Sequence, residues 1–148
     1  MKPFDKTTIQ EIVDQLECGL KCYWNSKTNA LLFIPDENNS FIEMEFWENE
    51  INQLENEGDD FIEIEKPTSR DSFQMMESFI ESGIPTAALK KELTKALERP
   101  KPFRNFNELV ENSRFREDWF AFKKDWMIKW VESEVEFLMD NIEEDLEP

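Results

Sequence analysis

Histidine is absent from this 148-residue chain. That removes the commonest general base, and with it Cys–His pairs and Ser–His–Asp arrangements. Only three glycines occur, Gly19, Gly58 and Gly83. Each stands alone, so no glycine-rich loop can cradle a phosphate. Ser–Lys and paired-carboxylate sites survive this subtraction, but no spacing singles one out. Cys18 and Cys22 are too few for zinc, which takes four Cys or His ligands. A bridge between them would close a tiny loop and constrain little, so they read as reduced structural thiols. No apolar run approaches the roughly 20 residues that span a bilayer. The opening MKPFDKTTIQEIVDQ also lacks the apolar stretch of a secretory signal. The expectation is a cytoplasmic protein with no catalytic site, metal, cofactor or membrane partner.

What the chain does hold is aromatic bulk and acid. Thirteen Phe and five Trp supply core material, and the length suits one self-sufficient domain. The net charge of −17 is unevenly spread. Residues 1–66 carry −11, residues 67–131 carry +2, and residues 132–148 carry −8. Such a chain is soluble and repels polyanions as a whole, yet its middle is nearly neutral.

Periodicity divides the chain into elements. Ile9, Ile12, Val13 and Leu16 fall at helical spacing, with Thr7 or Thr8 as the expected cap and Gly19 as the stop. Two short apolar runs, Leu20–Trp24 and Ala30–Ile34, flank the turn residues Asn25–Asn29 and predict a β-hairpin. Residues 41–58 are ambiguous between strand and helix, with length favouring a helix in the second half. Phe61–Glu65 alternates and ends before Pro67, as a third strand would.

Beyond Pro67 every segment reads as helix. One is capped among Thr68, Ser69 and Asp71 and buries Phe73, Met76, Phe79 and Ile80. Gly83-Ile84-Pro85 ends it. A second buries Ala88, Leu89, Leu93, Ala96 and Leu97, and Pro100 and Pro102 separate it from a short third. In the last, Phe115, Trp119, Phe122, Trp126 and Trp130 step along one face, widened by Phe120, Met127, Val131 and Leu138. The predicted fold is α+β. A small antiparallel sheet, a hairpin plus a third strand, is packed by four to five helices, the last one long. A single domain is expected over residues 1–139, with an acidic, frayed tail at 140–148.

Two constellations carry chemistry. Asp36, Asn38 and Ser40 mimic the start of a calcium loop. Phe41 stands where the turn needs Gly, however, and Trp47 where a bidentate acid is needed, so a polar loop is the better reading. The second is a set of cations among aromatic rings: Arg70, Arg104, Arg114 and Arg116 with Phe103, Phe106, Phe115, Trp119 and Phe120. Arg with aromatic rings holds phosphates and stacks bases. Helical spacing makes the same rings core and the cations a solvated face.

The run Pro67-Thr68-Ser69, then Phe73, Met76 and Phe79, then Ala96-Leu97, Phe103-Arg104-Asn105-Phe106 and Arg116 to Phe122, resembles the bacterial uncharacterised protein family numbered 0158. Pro102 stands where that family has Ala, and Asn105 where it has a second Arg. The resemblance names a relative and implies no activity. Two functional expectations follow. The first is a non-catalytic binding or adaptor module recognising a protein partner. The alternative is RNA or nucleotide binding through segment 67–131, with Arg70, Arg104, Arg114, Arg116 and Trp119 as the binding residues.

Overall fold

A computed structural model describes residues 3–35 and 44–146. The polar loop expected at 36–40, and the strand-like start of the ambiguous segment at 41–43, lie outside the described residues. Six α-helices and three strands are present among those described: α1 (Lys6–Glu17), β1 (Leu20–Asn25), β2 (Leu31–Pro35), α2 (Glu48–Glu57), β3 (Phe61–Ile64), α3 (Ser69–Gly83), α4 (Ala87–Glu98), α5 (Pro102–Glu111) and α6 (Arg116–Leu146). This is the expected α+β architecture with a long last helix. None of the described helices is long and apolar enough to cross a membrane.

The chain divides into two compact units. The first comprises Met1–Lys66 with Ile128–Pro148, and the second comprises Pro67–Met127. The division also sorts the charge. Six Lys and Arg face 24 Asp and Glu in the first unit, whereas the second holds 11 against 10.

The first unit is built on an antiparallel sheet of order β2-β1-β3. The hairpin turn is made by asparagines. Asn25, 8% exposed, accepts hydrogen bonds at Oδ1 from the backbone N–H of Lys27 (2.9 Å) and Thr28 (3.3 Å). Asn29 takes the left-handed conformation at φ 62, which Asn tolerates better than most residues. Its Oδ1 accepts from the Trp24 indole at 3.2 Å. Lys27 at the tip of the turn pairs with Asp60, just ahead of β3, at 3.0 Å.

Leu20, Cys22 and Trp24 point to one face of β1, with Ile64 opposite Cys22 in the register. Helix α1 lies against this strand and buries Ile9, Ile12, Val13 and Leu16, and the Phe4 ring meets Trp24 edge-on at 5.4 Å. The alternate residues of β2, Leu32 and Ile34, are buried too. The cap of α1 differs from expectation. It is Asp5, whose carboxylate accepts from the Thr8 N–H at 2.8 Å, and Thr8 occupies the third helical position. Gly19, at φ 92, ends the helix as expected. Within residues 128–146, α6 buries Val131 and Val135, and the Trp130 indole donates to the Glu65 carbonyl at 3.1 Å.

The second unit is helical. Thr68 and Asp71 close a reciprocal capping box at the start of α3. Pro102 opens α5 at its first position, where its missing N–H costs nothing. Lys101 before it is held left-handed at φ 59. The core joins Met75, Met76, Phe79, Ile80, Leu93 and Leu97 to Phe106, Val110 and Trp119. Ala88, expected inward on α4, is exposed.

Candidate functional site

The five residues singled out from the sequence separate into three groups. Trp119 is core. It is 1% exposed, its ring centroid lies 5.0 Å from that of Phe106 and 5.1 Å from that of Phe79, and Phe122 stacks on it at 6.4 Å. A ring enclosed in this way offers no face to a base or a peptide.

Arg70 and Arg104 are exposed, and each has an acidic neighbour. Arg70, on the first turn of α3, precedes Asp71. The Thr68 N–H and hydroxyl hold the Asp71 carboxyl below its ordinary range, with a smaller contribution from the Arg70 charge. Arg104, on α5, donates from Nε to Glu108 at 3.3 Å, four residues on. Both side chains of that pair are more than half exposed. It is therefore a solvated surface pair of small energetic weight.

Arg114 and Arg116 form the third group, at the start of α6. Each guanidinium lies over a ring: Arg114 over Phe115 at 5.0 Å from the centroid, and Arg116 over Phe120 at 5.3 Å. Such contacts are worth about 0.5–1 kcal/mol at exposed sites.

Phe120 was expected to widen the buried face of α6, but it is 37% exposed. Helix geometry gives the reason. At about 100° per residue, Phe120 lies roughly 100° around the axis from Trp119 and only about 40° from Arg116. Lys123 falls about 20° to the other side of Arg116, and Lys124 about 80° away on the side of Phe120. Lys124 is exposed and Lys123 half-buried. Glu117, Asp118 and Asp125 lie further round still, so the first three turns of α6 carry a core face, a cationic face and an acidic face. The cationic face consists of Arg116, Phe120, Lys123 and Lys124. On this helix Trp119 belongs to the core, and the exposed ring is Phe120.

The remaining chemistry is sparse. Among the described residues, no three Cys, Asp or Glu side chains stand together in a way that could hold a metal ion. Cys18 is exposed and Cys22 buried, both as free thiols. Burial, reinforced by the charges of Glu11 and Glu63, pushes the Cys22 thiol up to about 12. It is thus an inert, protonated sulfur, since the thiolate is the reactive form.

No curated protein and no solved structure matches the chain. A family model does, from within β1 onwards, and so covers the helical region whose residues carry the resemblance as well as most of the sheet. With that match spanning residues 23–148, the chain belongs to the uncharacterised protein family UPF0158.

Proposed function

We propose that the protein is a non-catalytic binding module of the cytoplasm, and that the cationic face of α6 recognises an acidic segment of a protein partner. The observation that carries this reading is the exposed Phe120 ring with the Arg116 guanidinium over it and exposed Lys124 one turn further on, at the edge of the helix's core face. Aromatic and Arg side chains are enriched at the energetic centres of protein interfaces, because they bury large area at modest entropic cost. The lysines supply steering for an acidic partner. The second unit, with 11 Lys and Arg against 10 Asp and Glu, does not repel an acidic segment as the strongly acidic first unit does.

Affinity capture at low salt tests it, comparing the wild-type chain with the triple variant Phe120→Ser, Lys123→Glu, Lys124→Glu. A defined partner held by the wild type and lost by the folded variant supports the reading. Identical captured sets for the two proteins reject it.

The second reading is RNA binding, favoured by the two Arg–aromatic pairs at Arg114–Phe115 and Arg116–Phe120. It predicts binding of polyuridylate that weakens steeply with salt. If the double variant Arg104→Ala, Arg116→Ala binds polyuridylate as tightly as the wild type, this reading fails.

A further inference from the structure

The first unit contains a cavity of about 550 Å³ between the segment before α1 and the later turns of α6. That volume lies within the usual range for small-molecule sites. The Phe4 ring and the side chains of Ile9, Val135 and Met139 form an apolar wall. Ile9 and Val135 are themselves 6% and 4% exposed, so this wall is anchored in the core.

The rest of the lining is charged or polar, and α6 sets its order. Residues four apart stack on one another along a helix. Val135 and Met139 make one row, Glu132 and Glu136 the next, and Lys129 and Ser133 a third, all lining the cavity. The two glutamates therefore stand immediately beside the apolar row. Two carboxylates face one ammonium around the mouth, inside a unit where acids outnumber bases fourfold. A field of that sign concentrates cations and repels anions.

We propose that this cavity binds a small organic cation, an ammonium group carried on an apolar body. The body lies against Phe4, Ile9, Val135 and Met139. The ammonium sits at the exposed Glu136 carboxylate beside that apolar row.

The test keeps the body constant and changes the head. Titration of the full chain with hexylammonium, hexan-1-ol and hexanoate is followed by calorimetry and by the methyl NMR signals of Ile9, Val135 and Met139. Hexylammonium should bind saturably, one per chain, and shift those methyls. Hexan-1-ol and hexanoate should bind at least about tenfold more weakly, the equivalent of 1.4 kcal/mol. Glu136 is exposed, so Glu136→Gln should fold normally and weaken hexylammonium about fivefold. Ser133→Trp, also at an exposed position, should fill the mouth and abolish binding. No saturable binding of hexylammonium up to about 10 mM overturns the proposal. Equal binding of the alcohol, or unchanged affinity in Glu136→Gln, overturns it as well.

Discussion

Gly83 closes α3 at a place where any side chain would strike the core. A Cβ built on it falls 2.6 Å from Phe79 Cε1 and 2.8 Å from Cδ1. Carbon atoms in contact sit about 3.5–4.0 Å apart, so the ring would have to retreat by roughly 1 Å. It has nowhere to go. Phe79 is 1% exposed and backed by Trp119 and Phe122, with ring centroids at 5.1 and 5.2 Å. Helix propensity alone favours Gly83→Ala by up to about 1 kcal/mol. Overpacking a filled core costs about 1–3 kcal/mol. Propensity counts for less at a last helical residue, so the clash wins, and a net loss of about 1–2 kcal/mol is expected.

Urea unfolding followed by circular dichroism measures this as a lower midpoint with an unchanged slope. The mechanism has its own control in Phe79→Leu, which removes the ring edge. In that background the cost of Gly83→Ala should largely vanish, an interaction that a double-mutant cycle isolates. A Gly83→Ala protein as stable as the wild type would refute the reasoning. So would an undiminished cost in the Phe79→Leu background.

Four further outcomes are expected. Trp119→Ala should destabilise by about 3–5 kcal/mol, as for a large buried ring; a variant with a native urea midpoint would mean Trp119 is not core. Lys101→Gly should stabilise by up to about 1 kcal/mol, read as a higher urea midpoint, because a non-glycine residue at φ 59 is strained; a lower midpoint would contradict this. Asp5 and Asp71 have pKa values held below 3.8 by hydrogen bonds from Thr8 and Thr68. The unfolded chain therefore takes up these protons first, and stability falls as pH drops below 4 through the folded values. A pH titration of the urea midpoint should show a shallower acid limb in the double variant Asp5→Asn, Asp71→Asn. At the other extreme, the Cys22 thiol ionises near pH 9 when unfolded but only near 12 when folded. Stability should fall across that window, by up to about 1.4 kcal/mol per pH unit, and Cys22→Ala should flatten the fall.

Much of the architecture was legible because punctuation and periodicity agreed. Gly19, Pro67, Gly83-Ile84-Pro85 and Pro100 with Pro102 bracket elements whose apolar residues keep a helical or alternating rhythm, and the structure breaks at each of them. The asparagine-rich turn between two short apolar runs marks the hairpin from sequence alone. The errors have local causes. Thr7 and Thr8 are good caps in isolation, but Asp5 precedes them and reaches the Thr8 N–H first. Ala88 has helical spacing but little area to bury, so it stays outside. The candidate site was only half legible. Arg114 and Arg116 do sit over rings, but which rings face out depends on where the core axis passes. A list of aromatic residues cannot tell Trp119 from Phe120, whereas a helix with its core face defined can.

β1 is the middle strand of its sheet, hydrogen-bonded on both sides, and it carries Cys22 with no accessible surface at all. Four residues earlier, Cys18 stands exposed at the end of α1. A thiol-modifying reagent should therefore label Cys18 at once, and Cys22 only when the sheet opens. The slow labelling rate, set against the fast one in the same molecule, acts as a built-in clock for that opening. It reads rare excursions of the central strand under native conditions, without denaturant and without any engineered probe.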